Sequence, residues 1–233
     1  MVDRSKVTRV FLVRHGATIL SAEDRFAGET DVLLSDEGRR QTLALANRLR
    51  RESISAIYAS PMKRTRETAE VLAAPHGIPV VIRDGLREIS HGRWEGKSRS
   101  EVEEQFPDEY LCWQEDPFSF APAGGETGLA VTARALPDLL AIVAENQGRC
   151  ALIVSHKATI RLLISNVLGF DPRTYRDTLD QDPACLNILD FRSPTRARLI
   201  LFNDISHYAQ TPSLISEISV GRLSPWWDKD PSA

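Results

Sequence analysis

The sequence is short of the residues that staple small folds or hold metals. Its 233 residues include three cysteines. Cys112, Cys150 and Cys185 are widely spaced, odd in number and without a Cys-x-x-Cys pair, which argues against a disulfide framework or a zinc site. Five histidines are present, and none forms a His-Glu-x-x-His pair, so a metal-dependent hydrolase is not expected. Hydrophobic runs are short: Asp3, Arg4 and Lys6 precede an apolar stretch, Val7 to Val13, that is too brief for a signal peptide or a membrane span. Surplus positive charge is missing too. The formal net charge is −3, whereas a nucleic-acid binder carries a basic footprint. Repeats, low-complexity segments and linkers are absent. These absences leave a soluble, reducing, cytoplasmic setting with no membrane and no nucleic-acid partner. They also favour one domain over 1–233, with a core over 7–207 and a tail over 208–233. A homodimer stays open.

What is there is globular: 42% hydrophobic and 26% charged, with enough chain to bury a large core. Val7 to Val13 reads as a buried strand that stops at Arg14, His15 and Gly16. Ser35 reads as an N-cap, with Asp36 and Glu37 suited to the helix dipole, opening a helix to near Arg51. Ala56 to Ala59 is a strand. Ser60 and Pro61 then read as the N-cap and first position of a helix to near Ala74, with Lys63 and Arg64 in its first turn. Val80 to Ile82 is a third strand, Leu86 to Gly96 a charged loop and Ser98 to Phe106 a short helix. The stretch 107–125 reads as irregular; its Tyr110, Trp113, Phe118 and Phe120 suit a lid, a substrate wall or core packing. Glu126 to Asn146 is helical, with Pro137 kinking it or starting a second segment. A strand over Cys150 to Val154 leads through Ser155 and His156 into a helix over Ala158 to Leu168. Strands at Leu186 to Phe191 and Leu199 to Phe202 form an antiparallel edge, and a peripheral tail holds Trp226 and Trp227. This alternation predicts an α/β fold, a three-layer α/β/α sandwich on a mainly parallel central sheet.

One grammar repeats along the chain. A strand ends, and a cation or an imidazole follows: Arg14 and His15, then Arg64, then His156. In a parallel sheet these ends meet at one crevice. Gly16, lacking a Cβ, lets backbone approach a ligand there. Two guanidinium forks and two imidazoles suit a phosphoryl group, with a neutral histidine as nucleophile and fixed cations in place of a metal. Plainer readings stand beside these. Arg14 and His15 also fit a capped strand end, and Arg64 a surface helical arginine. His156 fits a core histidine, Glu88 a solvated carboxylate offset by Arg87, and Glu126 a helix-start acid.

An ordered set of motifs weighs on these readings, Glu126 staying even. R-H-G stands at Arg14 to Gly16, followed by Arg25-x-x-Gly28 and L-S-D-E-G at Leu34 to Gly38 with Gln41. S-P-x-x-R-x-x-x-T-A runs from Ser60 to Ala69. Leu86-x-Glu88, G-x-W-E-G at Gly92 to Gly96, Gly125-Glu126-Thr127 and V-S-H at Val154 to His156 complete the set. Over residues 7–165 the chain resembles the histidine phosphatase superfamily, the phosphoglycerate mutase-like group. The resemblance implies that fold, no cofactor or metal, and a small phosphorylated substrate. It implies that His15 is the nucleophile, that Arg14, Arg64 and His156 hold the phosphoryl oxygens, and that Glu88 protonates the leaving group. Gly16, Ser21, Arg25, Gly28 and Lys157 join them as substrate-binding positions. Three residues depart from the family's habit. Ala17 stands where Glu or Gln is frequent, Ser21 where Asn often binds phosphate, and Lys157 where a small residue is usual. Lys157 either adds a cation for a carboxylated or multiply charged substrate, or faces solvent. G-x-W-E-G and the short 97–125 region resemble the phosphatase branch more than the mutases. A non-catalytic phosphate-binding module is the third reading, and Glu88 argues against it, since a binder needs no acid.

Overall fold

Val10, Phe11, Leu12 and Val13 are all buried, so the strand carrying them needs cover on both faces. The computed structural model describes residues 7–209; Trp226 and Trp227 lie outside the described residues. The elements are β1 (Thr8–Arg14), α1 (Ile19–Ala22), α2 (Asp36–Leu49), β2 (Ile54–Ala59), α3 (Lys63–Ala73), β3 (Val80–Ile82), α4 (Arg99–Gln105), α5 (Pro107–Glu115), α6 (Gly128–Glu145), β4 (Cys150–Ser155), α7 (Lys157–Leu168), α8 (Tyr175–Thr178), β5 (Leu186–Ser193) and β6 (Arg196–Asp204). The sheet order is β3-β2-β4-β1-β5-β6. β3, β2, β4 and β1 are parallel, with Val10 opposite Ala151 and Arg14 opposite Ser155. β5 is antiparallel to both β1 and β6, so it alone opposes the rest.

Alternation along β1 divides the core. Val10 and Leu12, with Ala151 and Ile153, pack on Leu139, Ile142, Ile160 and Leu163 of α6 and α7. Phe11 and Val13, with Leu152 and Val154, pack on Leu45, Leu49, Ala69 and Leu72 of α2 and α3. Each Val, Leu, Ile or Phe among them contributes about 1.5–3 kcal/mol on burial. The result is the expected α/β/α sandwich. A third, aromatic cluster of Phe26, Trp94, Tyr110 and Trp113 sits under the 26–28 and 92–96 loops.

Several boundaries differ from the sequence reading. Ser60 does not cap α3: the helix begins at Lys63 behind Met62 with no side-chain cap, and the Ser60 hydroxyl instead meets His156. Lys63 and Arg64 still open the first turn. The stretch read as irregular contains α5, with Pro107 at its start and Asp108 and Glu109 in its first turn. Tyr110 and Trp113 lie three apart, so one face of α5 packs into the aromatic cluster. Pro137 leaves α6 continuous. It sits on the exposed face, where the carbonyl its missing N–H frees is open to water. Gly16 serves a different purpose from the one expected. A Cβ there would lie 2.5 Å from the Gly38 carbonyl oxygen, and one on Gly38 would lie 2.1 Å from that of Ala17. The close approach that the structure shows is between the β1–α1 turn and α2.

Candidate active site

The parallel strands deliver their carboxyl ends to one side, and backbone hydrogen bonds continue past them. His15 N–H donates to Ser155 O and Ser60 N–H to Val154 O, both at 3.1 Å. This extended register sets His15, Ser60 and His156 side by side.

His15 is 5% exposed, and its Nδ1 lies 2.8 Å from the Gly16 carbonyl oxygen. A carbonyl only accepts, so Nδ1 carries the proton and Nε2 keeps its lone pair. Burial, then the Arg64 and Arg14 guanidinium groups, hold the imidazole well below the ordinary histidine range. A neutral imidazole of fixed orientation results. The His156 ring meets that of His15 edge-on, with centroids 5.2 Å apart. Arg64 Nε donates to His156 Nδ1 at 3.2 Å. Guanidinium never accepts, so the His156 proton sits on Nε2 and is donated to Ser60 Oγ at 2.8 Å. Burial, then Arg64, also hold His156 well below its usual range.

Arg64 is 1% exposed. Its Nη atoms donate to the carbonyls of Ala27, Gly28 and Thr30, which clamp it from the loop after α1. That loop is held in turn by Glu95, whose carboxylate accepts from the backbone N–H groups of Gly28, Glu29, Thr30 and His91 and from the Thr30 hydroxyl. Arg14 donates through Nη1 to Gln181 O at 2.6 Å and leaves a buried Nε without a partner. Glu88 sits against the start of α7. Its Oε1 accepts from Ile89 N–H, Thr159 N–H and the Thr159 hydroxyl, and its Oε2 accepts from Ala158 N–H alone. Behind it, Glu126 pairs with Arg134, which donates to the Gly85, Arg87 and Glu88 carbonyls. Glu126 therefore holds the Glu88 loop from outside the cleft.

A cleft of about 650 Å³ joins these groups. Arg14, His15, Ser21, Arg25, Arg64, Glu88 and Lys157 line it. His156, Gly16 and Gly28 do not: His156 backs the Arg64–His15 pair, Gly16 meets α2, and Gly28 turns its N–H to Glu95. The Ser21 hydroxyl accepts from the Thr18 N–H, in a capping box with Thr18 at the start of α1, and donates to the Thr18 carbonyl. Arg25 is shared among Glu23, Glu101 and the Gly96 carbonyl. The cleft also includes Trp113, which the sequence reading offered as part of a lid or substrate wall, and Arg161, Tyr175 and Asp180, which it did not single out. Of these three, Arg161, four residues after Lys157 on one helix, carried a readable signal. Among the described residues no His, Cys, Asp and Glu group is placed to hold a metal, and no helix is long and apolar enough to cross a membrane.

Paired imidazoles and guanidinium groups at the carboxyl ends of a parallel sheet define a phosphoryl-handling site on an α/β/α fold. The chain belongs to the histidine phosphatase superfamily (branch 1), whose family model matches residues 10–205, and is a hydrolase of the histidine phosphatase type. It is 33% identical over 165 residues to phosphoserine phosphatase 1 of Hydrogenobacter thermophilus, covering 71% of this chain and 78% of that protein. It is 34% identical over 171 residues to glucosyl-3-phosphoglycerate phosphatase of Mycolicibacterium vanbaalenii, covering 70% and 76%. Some mycobacterial relatives are longer, and the chain spans about half their length (56%). Among solved structures it is similar to Bacillus stearothermophilus YhfR, with a TM-score of 0.80, 30% identity and coverage of 86% of this chain and 98% of that one.

Proposed function

We propose that the chain hydrolyses a small phosphomonoester through a phosphohistidine on His15. The observation that carries this reading is the orientation of His15: its Nδ1–H is fixed on the Gly16 carbonyl, leaving Nε2 as the lone pair beside Arg14 and Arg64. Nε2 attacks phosphorus, and the ester oxygen leaves with a proton from Glu88. Oε2 of Glu88, with one N–H donor, is the oxygen that carries this proton. The carboxylate then takes a proton from water, whose oxygen attacks phosphorus. The P–N bond breaks, and free phosphate and neutral His15 return. Arg14 and Arg64 hold the charge that spreads over the phosphoryl oxygens. His156 supports the cluster by ordering Arg64, whose Nε donates to its Nδ1. Relatives named for phosphoserine and for glucosyl-3-phosphoglycerate support a hydrolase over a mutase.

The test is phosphate release from a panel of phosphoesters, with and without chelator, beside His15→Ala. Chelator-resistant release by the wild type, its loss in His15→Ala, and an acid-labile phosphoryl adduct trapped on the wild type support the reading. Release that persists in His15→Ala overturns it.

A further inference from the structure

We propose that Lys157, Arg161 and Tyr175 form a second anion subsite beside the phosphoryl pocket, and that it takes a carboxylate on the leaving alcohol of the substrate. The inference rests on the hydrolase reading above. Lys157 and Arg161 are four apart on α7 and share the face that lines the cleft. The N–H groups of Ala158 and Thr159, in the first turn of the same helix, hold the Glu88 carboxylate. The two cations therefore stand next to the group that protonates the leaving oxygen, on the alcohol side of the scissile bond.

The charge on this side of the cleft is incomplete. Arg161 is 8% exposed. Its Nη2 donates to Asp180 Oδ1 at 3.0 Å, and Lys157 Nζ lies 3.6 Å from the same oxygen. Two cations share one carboxylate. Among the described residues Arg161 Nε is buried without a partner, and its Nη1 meets no acceptor. The neighbouring cations are matched: Arg25 by Glu23 and Glu101, Arg99 by Asp24, Arg176 by Asp177 and by the Trp113 and Gln114 carbonyls. A buried guanidinium with unmet donors is costly, and an arriving anion completes it. Tyr175, buried and packed with Ile89 and Leu162 in the lining of the same cleft, is pushed up to about 12 by burial. Its phenol stays a donor and makes no hydrogen bond among the described residues, so it too is available to an anion. Asp180 has a side chain that is 62% exposed and can turn to water when the ligand enters. With Asp180 counted, the surplus is one positive charge, which matches a carboxylate better than a second phosphate.

The experiment compares 3-phosphoglycerate with glycerol 3-phosphate, which differ by a carboxylate in place of a hydroxymethyl group. A charge-assisted hydrogen bond predicts a kcat/KM ratio of about 10–100 in favour of the carboxylate. Arg161→Met and Lys157→Met lower that ratio about tenfold or more, chiefly through KM, while Arg161→Lys recovers part of it and Asp180→Asn raises it. Thermal melts of each variant establish that it is folded; Lys157, less buried, gives the same reading if Arg161→Met does not fold. Equal turnover of both esters by the wild type, or variants that lower both equally, overturns the subsite and leaves the hydrolase reading intact. Better turnover of glycerol 1,3-bisphosphate than of 3-phosphoglycerate overturns the carboxylate assignment. No release from any ester overturns the hydrolase reading itself.

Discussion

Glu95→Gln is the sharpest probe of how the site is held. Glu95 touches no substrate position, yet it gathers the loop that clamps Arg64. Its Oε1 accepts from Gly28 and His91 N–H at 2.9 and 3.0 Å, and its Oε2 accepts from the Thr30 hydroxyl at 2.6 Å and Thr30 N–H at 3.2 Å. Glutamine keeps the shape, removes the charge and replaces one acceptor by an NH₂ group. Placed at Oε2, that group opposes Thr30 N–H, and the hydroxyl must reverse; placed at Oε1, it opposes three backbone donors. The remaining bonds fall from charge-assisted to neutral strength, a difference of roughly 1 kcal/mol each, and one buried donor is left unmet at about 1–3 kcal/mol. The expected loss is about 2–4 kcal/mol, or about 4–16 °C in Tm for a domain of this size. Burial pushes the Glu95 carboxyl up, but the Thr30 hydroxyl and the His91 and Glu29 N–H groups outweigh it and hold it below the usual range. Its contribution is therefore present above pH about 4.5 and fades as pH falls through the lower folded value. Denaturant unfolding at pH 7 and at pH 3.5, with kcat/KM at pH 7, reads all of this. Glu95→Gln should lose stability at pH 7, converge with the wild type in acid, and lose activity because Arg64 shifts. A variant within about 0.5 kcal/mol of the wild type, with unchanged kcat/KM, refutes the reasoning.

Ser60→Ala strands the His156 Nε2–H, and we expect about 1–3 kcal/mol of lost stability with a kcat/KM loss that steady-state kinetics resolves. Gly38→Ala drives a methyl toward the Ala17 carbonyl, 2.1 Å from the ideal Cβ position. Overpacking of backbone against backbone should cost about 3 kcal/mol or more, read by denaturant midpoint. Lys157 is pushed down to about 8 by burial, then by Arg14, Arg161 and Arg99, against the pull of Asp180. The preference for a carboxylated ester should therefore decline as pH rises through about 8, seen as a rising KM for 3-phosphoglycerate that glycerol 3-phosphate does not share.

The parts of this protein legible in its sequence are the ones written locally. β1 shows as a β-branched run, and α2 shows through the Ser35 cap, whose hydroxyl does accept from Gly38 N–H. The strand-end grammar put Arg14, His15, Arg64 and His156 together because parallel strands make that convergence automatic. What stayed hidden depends on long-range contact. Ser60 followed by Pro61 looks like a helix start, yet the hydroxyl is drawn to an imidazole 96 positions away. α5 escaped notice because its pattern is set by the aromatic cluster it joins, not by a regular apolar period. The far wall of the cleft, Tyr175 and Asp180, comes from a four-residue helix and the turn after it, which no motif marks. Arg161 was visible only as a charge on a helix until the fold turned that face inward.

The same cations explain both how the site binds and when the fold weakens. Arg14 and Arg64 suit a phosphate dianion, and their field adds to burial, the larger cause, in keeping His15 and His156 unprotonated. The proposed nucleophile is thus neutral across the weakly acid range in which a free imidazole would already be charged, so the acid limb of kcat/KM is expected well below pH 6.5 unless the substrate's own second ionisation, near 6, intervenes. Stability moves the other way. His15, His156 and His91, the last lowered mainly by burial, take up protons in the unfolded chain near pH 6.5 that the folded chain refuses. Stability is therefore full above about 6.5 and declines as pH falls toward the folded values, by as much as about 1.4 kcal/mol per pH unit for each histidine. Denaturant midpoints between pH 7.5 and 5 measure the slope. His15→Gln should flatten it by one histidine's share, and a wild-type profile that is level across this window would show that the imidazoles are not held neutral after all.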